Sequence, residues 1–147
     1  MKTANKTISF TPSEQLEFIN FTEEVKKFVE ESGVKNGLVN VQSMHTTGAI
    51  VVNEDEPLLK NDIKKRLDQI IPQDNNYTHD DFSIRTVNMC DDECANGHAH
   101  CKAVLLQPNA TLNVIDGKVQ LGQWQQIFFL ELDRKRPRKI QIMVLGE

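Results

Sequence analysis

Two of the four histidines, His98 and His100, fall in the segment Asn96-Gly97-His98-Ala99-His100-Cys101-Lys102, with Cys94 just before it. Imidazole changes charge near neutral pH and is the commonest metal ligand, so this segment points to proton transfer or metal binding. A polar surface turn has the same composition. His45 and His79 lie far away in sequence. Brought into one pocket, His45, His79 and His100 give three imidazoles around an open position, a catalytic metal pattern. Without metal the same groups serve as general acid and base or hold a phosphate. Spacing alone does not separate that pocket from histidines individually satisfied by hydrogen bonds. A zinc knuckle from Cys90, Cys94, His98 and either His100 or Cys101 matches structural zinc spacing only loosely, and Asp91, Asp92 and Glu93 crowd it. Cys101 as a thiol nucleophile lacks any signal of a depressed pKa. The sequence contains no P-loop, no GxSxG elbow and no dinucleotide fingerprint.

A chain of 147 residues is expected to be one domain, residues 1–147, with a proper core. The net charge of −4 argues against nucleic acid as a partner. No apolar run approaches the roughly 20 residues of a membrane span, so no membrane partner is expected. The segment Met1 to Lys6 lacks the apolar core of a signal peptide, which predicts a cytoplasmic protein. An odd number of cysteines, three, fits reduced thiols.

These residues must be positioned by the surrounding elements. Lys6 to Phe10 reads as a strand. Phe18, Phe21, Val25, Phe28 and Val29 fall at helical spacing, giving a helix over Phe21 to Ser32 with a capping box at Asn20 and Glu23 and a stop at Gly33. Gly37 to Met44 reads as a strand; Val39, Val41 and Ser43 alternate on one face, and continuing the period aims His45 along the buried side. His45-Thr46-Thr47-Gly48 interrupts the pattern as a polar turn, and Ala49 to Glu54 resumes as a strand. Pro57 opens a helix with a stripe of Leu59, Ile63, Leu67 and Ile70, ended by Pro72. Gln73 to Ala95 is a long polar loop, with Ser83 to Val87 expected as a short strand inside it. His98 to Leu106 reads as a short helix capped by Asn96, whose first-turn N–H groups favour an anion. Ala110 to Ile115 and Val119 to Leu121 form a hairpin on Asp116-Gly117, and Gly122 marks a bulge or a close backbone approach. Gln123 to Asp133 is apolar on both faces in its middle, so it is expected to be central. The excess apolar surface is expected to be buried between subunits. Arg134 to Lys139 is a basic turn that reads either as a phosphate holder or as a solvated hairpin tip, and Ile140 to Leu145 closes as a strand. Mixed helices and strands ending in a meander give the α+β class.

His45-Thr46-Thr47-Gly48-Ala49, Asn53-Glu54, Asn96-Gly97-His98-Ala99-His100-Cys101-Lys102-Ala103, Asp116-Gly117-Lys118 and Leu121-Gly122-Gln123-Trp124-Gln125 together resemble the YjbQ-like family over essentially the whole chain. The ordered set is specific; any one motif alone is weak. The resemblance implies an α+β fold of two packed mixed or antiparallel sheets, sandwich-like, with two main helices, assembled as a homotrimer. It implies the activity of a secondary thiamine-phosphate synthase, which joins a pyrimidine pyrophosphate to a thiazole phosphate and releases pyrophosphate. By motif it implies catalytic roles for His45, His100 and Lys102, substrate contacts from Thr46, Thr47, Asn96, Trp124 and Gln125, and a divalent metal, zinc or magnesium, on His45, His79, His100 and Glu131. The expected pocket gathers His45, His79, His100, Gln125 and Glu131. The expected partner is a phosphorylated small molecule. A trimeric metal- or small-anion-binding protein with little catalysis is the alternative. His98 departs from the family pattern, where Asp or a small residue is commoner, and the three cysteines lie outside that pattern.

Overall fold

The strand that carries apolar residues on both faces lies in the middle of the protein. The computed structural model describes residues 1–147, and in it β7 (Gln125–Glu131) is flanked by β2 (Phe18–Asn20) and β4 (Gly48–Glu54) in a three-stranded antiparallel sheet. One face of this sheet, with Ile50, Ile127 and Phe129, packs on a larger sheet in a single core. On the other face Ala49 and Leu130 meet Leu67 of α2 (Pro57–Ile70) and Ala99 of α3 (Gly97–Leu105). The helices of the same chain therefore cover the surplus apolar surface of β7, where the sequence had suggested a neighbouring subunit.

The larger sheet has the order β1-β8-β3-β5-β6, from Lys2–Phe10, Arg138–Gly146, Gly37–Ser43, Asn109–Ile115 and Lys118–Val119, and every pairing is antiparallel. Strand β8 is placed between β1 and β3, with Gly146 in register with both Lys2 and Gly37. Its inward side chains Ile140, Ile142 and Val144 meet Val39 and Val41 of β3 and Val25 and Val29 of α1 (Thr22–Ser32). Alternation with period two puts these residues on one face.

Local signals set the boundaries. Phe21 is the N-cap of α1, and Asn20 just before it accepts through Oδ1 the Thr22 amide at 2.9 Å and the Thr22 hydroxyl at 2.6 Å. The expected capping box is incomplete, because Glu23 pairs with Lys26 instead of reaching back. Gly33 ends the helix with a left-handed φ of 68°. Glu56 caps α2 by accepting the amides of Leu58 and Leu59, with Pro57 in the first turn. Asp116 and Gly117 both have positive φ, as a tight hairpin turn requires. Ser83 to Val87 is not a strand. Gly122 sits in a turn, where its amide donates to Gln125 Oε1, and the short helix expected after Asn96 is present as a third helix of nine residues, Gly97–Leu105. All three cysteines are free thiols. No helix is long and apolar enough to cross a membrane.

Candidate active site

The inward alternation of β3 through Val39, Val41 and Ser43 carries one step further to His45. The Ser43 hydroxyl fixes the turn, accepting the His45 amide at 3.2 Å and donating to the His45 carbonyl at 3.3 Å. His45 Nε2 accepts the Lys139 amide at 2.8 Å. The neutral ring therefore carries its proton on Nδ1.

A second group of residues is set by α3. Its first-turn amides are not left for an outside anion, as the sequence suggested. Asp80 Oδ1 accepts the amides of Asn96 at 2.9 Å and Gly97 at 2.8 Å. A carboxylate from the long loop thus fills the helix N-terminus, where negative charge is favoured. Gly97 permits the approach, since a Cβ there would lie 2.5 Å from Tyr77 Cβ. This docking holds the short 3₁₀ turn Thr78–Asp80 on α3 and sets the His79 ring edge-on to His100, with centroids 4.6 Å apart.

Three arginines complete the wall. Arg85 leaves the loop and donates through Nη2 to Glu93 at 3.3 Å and to the Asn88 carbonyl at 2.8 Å. Arg136 pairs with Asp133. Arg138, only 2% exposed, forms a two-bond pair with fully buried Glu131, with Nε at 2.6 Å from Oε2, and reaches Thr47 Oγ1 at 3.1 Å. Glu131 also accepts the Asp133 amide at 2.9 Å. Within the basic turn Arg136 and Arg138 are thus tied inward, while Lys135 and Lys139 are exposed.

His45, His79, His100, Arg85, Arg136 and Arg138 line one cavity of about 460 Å³, together with Thr46, Thr47, Asn96, Cys90 and Glu93. Each arginine has a carboxylate partner that anchors it. Burial holds His45 and His100 below the usual imidazole value; Arg138 adds to the effect at His45, and His79 adds to it at His100. Both rings are neutral near pH 7. Four buried side-chain atoms have no hydrogen-bond partner in the protein: His79 Nε2, Arg85 Nη1, Asn96 Oδ1 and Arg136 Nε. All four belong to residues of this cavity wall. The Asn96 amide orientation is fixed, because Nδ2 donates to Asp133 at 3.3 Å. The arrangement offers guanidinium N–H donors, each arginine held by a carboxylate, together with an acceptor and neutral imidazoles able to take or give a proton.

The other residues expected at the site lie elsewhere. Lys102 is fully buried, with Nζ 3.1 Å from Asp68 on α2, and does not line the cavity. Trp124 is 64% exposed, and Gln125 stands opposite Glu54, at the far end of β4 from the Gly48–Glu131 pair. Their motif builds a turn at the distant end of β7. Glu131 meets the cavity only through Arg138. His98 is buried, its Nε2 2.7 Å from Gln15 Nε2, which also donates to the Leu132 carbonyl; His98 Nε2 is thus the acceptor in a structural bond. No set of three or more His, Cys, Asp or Glu side chains is arranged to hold one metal ion. The donor chemistry gives the reason. His45 Nε2 is taken by the Lys139 amide, and both Glu131 oxygens are taken by Arg138, so the expected quartet does not fit a metal as arranged.

Arg138 carried a readable signal, since it is in phase with Ile140, Ile142 and Val144 on the inward face of β8. Asp80 and Arg85 carried none, because loop residues have no period to betray their direction.

The chain is similar to proteins from several microbes. The family model described as UPF0047 protein YjbQ-like matches residues 6–147. A UPF0047 protein of Methanothermobacter thermautotrophicus is 38% identical over 147 residues, covering 100% of this chain and 95% of that protein. The crystal structure of a YbjQ-like protein of unknown function from Sulfolobus solfataricus superposes with a TM-score of 0.87 at 34% identity, over 99% of each chain. A YjbQ/UPF0047 family protein of Clostridium acetobutylicum gives 0.83 at 35% identity, over 95% of this chain and 99% of that one.

Proposed function

The chain belongs to the UPF0047 YjbQ-like family, and from that premise we propose that its cavity binds a small phosphorylated molecule and that His100 and His45 move protons on it. The observation that carries this reading is that the four buried polar atoms without a protein partner all belong to residues that line one arginine-rich cavity. A phosphoryl group supplies what they lack. Arg85 Nη1–H and Arg136 Nε–H donate to its non-bridging oxygens, as charge-assisted bonds. Asn96 Oδ1 accepts from a hydroxyl, either of a protonated phosphate or of the group it esterifies. Neutral His100 accepts a proton, and His45 donates from Nδ1.

The thiamine-phosphate reaction implied by the family resemblance is one member of this class. The bond between the pyrimidine carbon and the pyrophosphate oxygen breaks, the electron pair leaves on pyrophosphate, and the thiazole phosphate nitrogen takes its place. Arg85 and Arg136 would receive the departing charge. The positive charge comes from side chains, so the reading needs no metal. Calorimetric titration with inorganic phosphate and pyrophosphate tests it. Arg85→Ala and Arg136→Ala should each weaken binding by about ten- to a hundredfold, and EDTA should leave wild-type affinity unchanged. Absence of binding, equal affinity in the variants, or loss on chelation refutes the reading. Incubation with the pyrimidine pyrophosphate and thiazole phosphate then tests the reaction itself, in which His100→Ala should lower turnover by about a hundredfold or more. Affinity without product leaves the anion-binding alternative.

We also propose assembly as a homotrimer. The outer face of the five-stranded sheet carries exposed Leu38, Met143 and Leu145, with Leu38 directly opposite Leu145 across β3 and β8. Light scattering that gives one chain mass at micromolar concentration refutes it.

A further inference from the structure

Asn96 holds the N-cap position of α3 without doing the work of an N-cap. At that position an asparagine side chain ordinarily accepts an amide of the first turn. Here it makes no such bond, and Asp80 takes the amides of Asn96 and Gly97 instead. The side chain is turned to Asp133. Its Nδ2 donates to Asp133 Oδ2 at 3.3 Å, and Arg136 Nη2 donates to that same oxygen. Asn96 is 4% exposed, and its Oδ1 accepts nothing. A buried amide oxygen without a donor is costly, so its presence calls for a reason. Turning the amide over gives no relief, because Oδ1 would then face the Asp133 carboxylate.

Its neighbour on Asp133 shows the opposite lack: Arg136 Nε is a buried donor without an acceptor. An unmet acceptor and an unmet donor thus belong to two side chains that converge on one carboxylate oxygen, and both residues line the arginine cavity. We infer that Asn96 is a specificity-determining residue, which makes the cavity accept a tetrahedral anion that carries an O–H and discriminate against one that is fully ionised. The inference rests on the phosphate-binding reading above and adds the protonation form of the anion that is taken. The phosphate dianion meets both needs, with an ionised oxygen accepting from Arg136 Nε and its hydroxyl donating to Asn96 Oδ1. Sulfate has the same shape and, near neutral pH, the same charge, but no proton. It leaves Oδ1 facing an ionised oxygen, and a site built to bond a hydroxyl rejects the analogue that lacks one.

The test compares calorimetric affinities of the full chain, near neutral pH, for inorganic phosphate, sulfate and fluorophosphate. The last is a dianion of phosphate's shape in which fluorine replaces the hydroxyl. Phosphate should bind about ten- to a hundredfold more tightly than either, the scale set by one buried acceptor left without its donor. Asn96→Leu should lower phosphate affinity to that of the other two and leave theirs no weaker than in wild type, with circular dichroism as the folding control. Equal affinity of the wild-type protein for all three overturns the inference and leaves phosphate binding standing. That comparison needs no variant, so it decides even if Asn96→Leu does not fold. A folded Asn96→Leu that loses affinity for all three alike assigns Asn96 a structural role and also overturns the inference. No binding of any of the three overturns it together with the reading beneath it.

Discussion

Replacing Glu131 by Gln removes the charge that holds Arg138 while keeping the side-chain shape. The pair is inaccessible on both sides, with side chains 2% and 0% exposed. Glu131 accepts both guanidinium bonds and the Asp133 amide. An amide offers one oxygen for three donors, and its NH2 must then face either the guanidinium or the backbone N–H. A buried pair broken on one side costs about 3–5 kcal/mol, since the surviving charge is uncompensated. That is a large share of the roughly 5–15 kcal/mol of a typical domain. Urea unfolding at neutral pH, followed by circular dichroism, reads the loss directly. The double variant Glu131→Leu with Arg138→Met should recover much of it, because the desolvation of both charges disappears with the pair. A loss below about 1 kcal/mol in Glu131→Gln, or a double variant no better than the single one, refutes the claim that this pair is a buried structural tie.

Asp80→Ala should destabilise the protein by about 1–2 kcal/mol through loss of the α3 cap and weaken phosphate binding by displacing His79, measured by thermal melting and calorimetry. Lys102→Met should change stability by no more than about 1 kcal/mol and leave phosphate affinity as in wild type; a large loss of affinity would return Lys102 to the site. Stability should fall on acidification. Burial first, then Arg138 at His45, Lys102 at His98 and His79 at His100, holds these three rings below the usual 6.5. The unfolded chain therefore binds more protons just below that value, so their contribution is complete above about pH 6.5 and declines as pH drops toward the folded values. A urea midpoint that is constant or rises between about pH 7.5 and 5.5 contradicts this.

Period-two patterns exposed much of the framework and part of the site. The alternation of Val39, Val41 and Ser43 pointed His45 inward, and the doubly apolar middle of β7 marked it as central. The same rule, applied to β8, reaches Arg138. Glu131 was placed on the right strand, but nothing local tells whether an inward carboxylate meets a metal or an arginine seven residues later. Loop 73–95 resisted for another reason. Asp80 bonds amides sixteen and seventeen residues away, and such a partner is chosen by three-dimensional packing alone. Trp124 and Lys102 had reactive-looking types and motif positions, and exposure at one and burial against Asp68 at the other remove them from the cavity.

The position of β8 between β1 and β3 also governs how the protein is made. Strand β1 has no partner other than β8, and it emerges from the ribosome well over a hundred residues earlier. Throughout that interval residues 2–10 wait as an unpaired strand, the kind of segment most exposed to wrong association. Lys2 and Lys6 on that strand oppose stacking of one waiting copy on another. Arg138 travels on β8 as well. The sheet and the cationic wall are thus completed in a single late event, and a nascent chain stalled before Arg138 holds neither.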